Sequence, residues 1–209
     1  MFQPADFSAT VSPIAWTGPG AVSLKMRLSV RDEGGVLATE GEAKPISSPW
    51  RRSSRYHCFG CAPREINPAG LAMKMVAEGS KLICDFYLTN LHESFPGMIH
   101  GGVSAAILDE LMGNALLHLE RKVCVTTSMK INYGGSILVG RHYRAQAWLE
   151  KQTQKNDDLF RVSGEIVDAE GNSLVIARGT FLWVSAPEWS RAFGVEVDDV
   201  LRPFLRPPA

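Results

Sequence analysis

The sequence lacks the features that mark two broad classes of protein. Lys and Arg together number 22, as do Asp and Glu, so the formal net charge is zero and no basic stripe stands out. This balance argues against a nucleic-acid-binding surface, and the cluster of Arg51, Arg52 and Arg55 is typical of solvated surface. No apolar run reaches the roughly 20 residues that a membrane-spanning helix needs. We therefore expect neither nucleic acid nor a membrane as a partner.

The chain also lacks a recognisable secretion signal and a dense set of cysteines. Residues 1–10 contain Asp6 and show no basic segment followed by an apolar one. Four cysteines in 209 residues do not make a disulfide framework. We therefore predict reduced thiols and a cytoplasmic protein.

Residues 1–56 have the pattern of an arm rather than of a domain. Residues 22–30 alternate between apolar and polar side chains, which predicts a half-buried strand. A turn at 32–35 precedes a second strand candidate at 36–39. Residues 41–55, with two prolines and several serines, are typical of a linker.

We predict that residues 57–185 form the main domain. Residues 186–209 are rich in proline, which predicts a C-terminal tail compatible with a short helix over 198–205. The domain holds one long helix, from Gly101 or Gly102 to about Glu120, that is apolar almost all round and therefore buried. Short turns join the strand candidates, which makes them antiparallel. The predicted fold class is α+β, with a curved antiparallel sheet wrapped around one central helix. The strand candidates are 71–77, 81–89, 123–133, 140–153, 159–168 and 173–184.

The start of this helix carries the chemistry-bearing motif, His100-Gly101-Gly102, with Asp109 nine residues after the histidine. Glycine lets a substrate approach the backbone closely. A free N–H at a helix N-terminus is suited to stabilising a developing oxyanion. A carboxylate two turns further along can serve as a base or a nucleophile.

Residues 58–184 resemble the hotdog-fold acyl-CoA thioesterases, specifically the PaaI-like group. The resemblance rests on the motif above, on Cys58-Phe59-Gly60-Cys61, on Asn67-Pro68 followed by Gly70-Leu71, and on the strand from Thr126 to Tyr133. It implies an enzyme that hydrolyses an acyl-CoA thioester, with its site at the interface of a homodimer. Two such dimers could form a homotetramer.

The resemblance also implies roles for individual residues. Gly101 matches the oxyanion donor, and Asp109 matches the general base or nucleophile. A hydroxyl from the strand after the helix should orient water. Thr126 is the better match for it, with Thr127 as the alternative.

Neighbouring residues complete the candidate site. We expect His100 to shape the loop by hydrogen bonding and Gly102 to contact substrate. Glu110, about 100° from Asp109 around the helix, is interpreted as a site or interface residue and as a rival carboxylate. Asn114 is interpreted as a polar contact at the dimer interface. Phe95 and Met98, in the segment before the motif, are candidates to line the acyl pocket.

Two features depart from a simple assignment. Tyr133 is followed by Gly134-Gly135, where members of the family often have proline in a region that contacts the nucleotide end of CoA. The Cys58-x2-Cys61 pair beside His57 is suggestive of zinc, but a structural zinc site needs four ligands, and Cys84 and Cys124 are isolated. We predict no metal and no cofactor.

Two alternative functions need weighing. The same pocket could serve a non-catalytic module that binds acyl-CoA or an acyl carrier. A hotdog dehydratase would need a histidine near the carboxylate. His118 follows Asp109 by nine residues, which does not place it on the same patch of the helix.

Overall fold

The computed structural model describes residues 44–150 and 158–207. The strands predicted at 22–30 and 36–39 lie outside these residues. The elements follow one another as two short strands, a longer strand, a small hairpin, the long helix, four strands and a second helix. Their bounds are β1 (Lys44–Pro45), β2 (Val76–Glu78), β3 (Lys81–Tyr87), β4 (Glu93–Phe95), β5 (Met98–Ile99), α1 (Gly101–Leu119), β6 (Cys124–Tyr133), β7 (His142–Leu149), β8 (Leu159–Val167), β9 (Ser173–Trp183) and α2 (Ala186–Phe193).

Seven of the strands form one antiparallel sheet in the order β1-β2-β3-β7-β8-β9-β6. Helix α1 contacts β3 and β6 to β9, and the predicted α+β architecture is confirmed. The helix lies close to the sheet because glycines lie beneath it: a Cβ at Gly164 would be 3.3 Å from both Leu108 and Met112 side chains. The helix buries eight side chains, from Ser104 to Leu117.

The sheet has one short edge and one long edge. β1 contributes two residues, whereas β6 contributes ten and pairs only with β9 within the described part of the sheet. A long unpaired strand is a template for pairing with a second chain. This edge also carries Thr126 and Thr127.

The four strands after α1 are confirmed, and the differences lie elsewhere. The predicted strand over 71–77 is wrong for most of its length, since only residues 76 and 77 of it belong to β2. The segment before the motif, which contains no strand candidate in the sequence analysis, contains a 3₁₀ turn and the hairpin β4–β5. The short C-terminal helix is wrong as well, because only a 3₁₀ turn, Arg202–Phe204, is present.

The C-terminal segment is built into the protein rather than laid on its surface. Val197, Leu201 and Leu205 are buried in a second apolar cluster with residues from the end of α1 and from β9. Trp50, in a 3₁₀ turn of the predicted linker, packs against the same cluster, with its ring centroid 5.9 Å from that of Trp189. Residues before the main domain and after it therefore share one cluster.

Candidate functional site

The first turn of α1 presents one backbone donor. His100 is the N-cap residue, and its Nδ1 accepts a hydrogen bond from the Gly102 N–H (2.9 Å). The Gly101 N–H donates no hydrogen bond within the described residues. Because the dipole of a helix places positive charge at this end, that N–H is suited to an oxygen that develops negative charge.

Tyr133, at the end of β6, lies against the same turn. Its hydroxyl donates to the Gly101 carbonyl (3.0 Å), and a Cβ at Gly101 would be 3.3 Å from the ring. A cleft of about 360 Å³ opens here. Its lining includes Met98, Gly101, Ser104, Tyr133 and residues 134–137.

Of the two residues predicted to line the acyl pocket, only one lines this cleft. Met98 lines the cleft, whereas Phe95 is 69% exposed and does not. Gly134 and Gly135 lie in the wall, and both of their N–H groups donate to the Leu174 carbonyl (2.8 and 2.9 Å). Ser104, which the sequence analysis did not select, is buried one helical turn after Gly101. Its position at i+3 from Gly101 is the signal that could have found it.

Asp109 and Thr126 meet where α1 crosses the free edge of the sheet. The Thr126 hydroxyl donates to Asp109 Oδ1 at 2.7 Å. Thr127 is the extra residue of a β-bulge between Thr126 and Ser128, and its hydroxyl donates to the Thr180 carbonyl (2.9 Å). The structure thus brings the first of the two candidate threonines to the carboxylate and directs the second elsewhere.

Asp109 and Gly101 are separated along the helix. Eight residues at ~1.5 Å each amount to about 12 Å, and Asp109 does not line the cleft at Gly101. The Gly101 N–H and the Asp109 carboxylate therefore do not converge on one point within a single chain.

Glu110, next to Asp109, faces another segment of the chain. Both of its carboxylate oxygens lie 3.4 Å from Cys58 Sγ. Asn114 Nδ2 donates to Glu110 Oε1 (2.9 Å) and to the Glu110 carbonyl (2.8 Å). The structure therefore places both Glu110 and Asn114 in contacts within the chain.

The four cysteines are free thiols in two kinds of environment. Burial raises the pKa of the Cys84 thiol to about 11 and that of Cys124 to about 12. Hydrogen bonding from the Cys61 thiol lowers the pKa of Cys58, while the same contact and burial raise the pKa of Cys61. Cys58 is therefore the more acidic of the two thiols, Cys58 and Cys61.

The far end of α1 carries the remaining titratable group of interest, His118. Its Nε2 is buried without a hydrogen-bond partner among the described residues, and burial lowers its pKa.

No helix in the described ranges is long and apolar enough to cross a membrane.

Comparison with known proteins shows which family and which solved structures this chain is similar to. Residues 96–175 match the model of the family described as the thioesterase superfamily. A search of curated proteins finds no match. Among solved structures, a thioesterase superfamily protein is 22% identical with a TM-score of 0.51; the match covers 56% of this chain and 56% of that one. The chain thus spans little more than half the length of that structure.

Two further solved structures have lower TM-scores. Zebrafish thioesterase superfamily member 2 is 22% identical, with 53% of this chain and 80% of that chain covered and a TM-score of 0.48. The E. coli PaaI protein from the phenylacetic acid degradation operon is 16% identical, with 54% and 83% covered and a TM-score of 0.48. The family match and the first structure together establish the hotdog fold.

Proposed function

We propose that this protein hydrolyses an acyl-CoA thioester to a free acid and CoA, because residues 96–175 match the model of the thioesterase superfamily. The observation that carries the proposal is the 2.7 Å hydrogen bond from Thr126 to Asp109 Oδ1. It orients the carboxylate, and the second oxygen, Oδ2, has no hydrogen bond within the described residues. That oxygen is available to water or to substrate.

Two routes use the same carboxylate. As a general base, Asp109 takes a proton from a water molecule while that water attacks the thioester carbon. As a nucleophile, it attacks the carbon itself and forms an anhydride that water then hydrolyses. In both routes the C–S bond breaks, and the CoA thiolate leaves and takes up a proton.

The Gly101 N–H supports the proposal from the other side of the carbonyl. We assign it the role of polarising the thioester oxygen. His100 accepts the neighbouring Gly102 N–H (2.9 Å) and so keeps the first turn ordered. This makes His100 a positioning residue for the oxyanion donor.

We further infer that a homodimer is the active unit. The separation of about 12 Å between Gly101 and Asp109 along α1 supports this inference, because a second copy could bring the two groups to one carbonyl. The ten-residue free edge of β6 offers a surface through which two sheets can join. Asp109 and Thr126 lie at this edge, and the exposed ring of Phe95 could reach the acyl group from the partner. Two dimers could assemble further into a tetramer.

We place the activity in the cytoplasm, since all four cysteines are free thiols. The cleft beside Gly134 and Gly135 is our candidate for the part of the substrate nearest the thioester.

The test is a panel of acyl-CoA substrates with release of free CoA thiol as the measurement. We expect Asp109→Asn to lower turnover by about 10²–10⁴-fold, because the amide cannot accept the proton from water. Asp85→Asn is the matched control, since Asp85 pairs with Arg144 on the sheet surface (2.6 Å). This control should keep the parental rate and the same dimer by light scattering.

Three outcomes would contradict the proposal. Asp109→Asn could turn over as fast as the parent, which would remove the assigned role. The parent could bind acyl-CoA tightly without cleaving it, which would favour the binding module. A protein that is monomeric at assay concentration and fully active would contradict the shared site.

A further inference from the structure

Three potential metal ligands from two distant segments meet beside α1. Cys58 and Cys61 lie on the loop before β2, and Glu110 lies on the helix, 52 residues after Cys58. The two sulfur atoms and a carboxylate oxygen all lie within 4.8 Å of one another, and all three residues are half-buried. None of the three has a part in the thioester chemistry proposed above.

The spacing of these atoms suits a tetrahedral ion. Zn–S bonds of ~2.3 Å and Zn–O bonds of ~2.1 Å place neighbouring ligand atoms of a tetrahedral site about 3.6–3.8 Å apart. The distance from Cys58 Sγ to the Glu110 oxygens is 3.4 Å. In addition, two cysteines separated by two residues are the usual spacing of a zinc-binding loop.

We propose that Cys58, Cys61 and Glu110 bind a thiophilic divalent cation of the Zn²⁺ class, with water as the fourth ligand. Thiolate ligands select zinc over Mg²⁺ and Ca²⁺, which take oxygen ligands. Both cysteines bind as thiolates, so their two protons pass to solvent when the ion binds.

The surroundings of the three ligands fit this role. Asn114 Nδ2 donates to Glu110 Oε1 at 2.9 Å and so holds the carboxylate toward the cysteines. The buried Tyr56 donates its hydroxyl to Cys61 Sγ (3.1 Å), and the Cys61 N–H donates to Cys58 Sγ (3.5 Å). Partners that orient ligands in this way are typical of metal sites.

Gly60, between the two cysteines, lets the carboxylate reach them. A Cβ at this position would collide with the Glu110 side chain. The loop thus has no side chain at the one point where Glu110 crosses it. An ion bound here would tie the loop to α1 at the residue next to Asp109.

The test uses the full chain, reduced and freed of metal with a chelator. Co²⁺ is titrated as the probe, and its sulfur-to-metal charge-transfer band and its visible d–d bands are recorded. We expect about one Co²⁺ per chain with strong d–d bands, which indicate tetrahedral coordination. Zn²⁺ should displace Co²⁺, and Mg²⁺ should not. Absence of a charge-transfer band in the parent would overturn the proposal.

Variants assign the ligands. Cys58→Ser and Cys61→Ser should each lose most of the charge-transfer band and the stoichiometric binding. Glu110→Gln should keep the band but bind Co²⁺ roughly tenfold or more weakly, the scale already seen for groups that only orient a ligand. Cys124→Ser is the matched control, because Cys124 is a half-buried thiol of β6 outside the cluster.

The conservative Glu110→Gln change keeps the test valid if a cysteine variant does not fold, which circular dichroism would show. Parental affinity in Glu110→Gln would exclude the carboxylate as a ligand and overturn the three-residue site. Loss of the band in Cys124→Ser would equally overturn it, because the ion would then bind elsewhere.

Discussion

Asp109 and Glu110 are consecutive carboxylates of one helix with different surroundings. A step of about 100° around the helix separates them. Asp109 faces the open edge of the sheet and accepts one hydrogen bond from Thr126. Glu110 faces the cysteine loop, where Gly60 and Asn114 confine it. The first carboxylate has an oxygen without a hydrogen bond among the described residues, whereas both oxygens of the second contact the cysteine loop.

This difference teaches how one helix can serve two sites. A base or nucleophile must be reached by substrate, so it belongs where the protein is open and a partner can cover it. A metal ligand must be held still, so it belongs among groups that fix its position. In our two proposals, adjacent residues on α1 meet these needs because Asp109 lies at the edge of the sheet and Glu110 lies against the cysteine loop.

After Asp109→Asn itself, the largest effect should come from removing the hydroxyl that contacts Asp109. Thr126→Val should lower turnover about 10- to 100-fold, since a hydrogen bond to a charged group contributes about 1.5–3 kcal/mol. Thiol release from acyl-CoA measures this change. Thr126→Ser, which retains the hydroxyl, is the matched control and should keep most of the rate.

Thr127→Val separates this effect from loss of structure. It removes the hydrogen bond to the Thr180 carbonyl and should lower the free energy of unfolding by about 1 kcal/mol. If Thr127→Val lowered turnover as much as Thr126→Val does, the hydrogen bond to Asp109 would not explain the effect.

A smaller effect should follow from Gly60→Ala, next to the cluster of Cys58, Cys61 and Glu110. The added methyl group displaces Glu110 without removing a ligand, so Co²⁺ affinity should fall roughly tenfold. Equilibrium titration measures it. Gly113→Ala is the control on α1, because its Cβ would meet only a Phe181 ring atom at 4.0 Å. Equal Co²⁺ affinities in the two variants would show that the missing side chain at Gly60 is not needed for Glu110 to bind the ion.

The smallest effect concerns the end of α1, beyond both carboxylates. Burial lowers the pKa of His118 in the folded protein, so the unfolded chain binds its proton first, near its usual pKa of about 6.5. The free energy of unfolding should therefore fall as the pH drops from about 7 through 6. Urea unfolding across this range measures it, and His118→Gln should flatten the dependence. Parallel curves for parent and variant would contradict this assignment.

Much of the fold could be predicted because its pattern is local. The apolar periodicity of residues 101–119 and the turn residues between the later strands point directly to α1 and to β6–β9. Helix α2 was missed although Ser185 and Glu188 form a capping box around its first turn. The strand predicted over 71–77 is wrong for residues 71–75, since apolar residues alone do not show whether a segment pairs with a strand.

In the candidate site, too, local features could be predicted from the sequence, and features that depend on tertiary contacts could not. The residues from His100 to Asp109 belong to one helix and its N-cap, so their relative placement could be predicted from the sequence, and their chemical roles stay predictions. The approach of Glu110 to Cys58 depends on tertiary structure across 52 residues. The expectation of no metal counted only cysteine and histidine, because nothing local shows that a carboxylate joins them. Tertiary contacts of this kind leave no periodic signal.

The bulge at Thr127 has a consequence for the phase of β6. Cys124 and Thr126, before it, and Met129 and Ile131, after it, all face the helix side, so the inward positions change from even to odd numbers across the bulge. A strand without the extra residue could direct the threonine to Asp109 or the later side chains to the core, but not both. One inserted residue thus lets the hydroxyl that contacts Asp109 and an apolar core share a single strand.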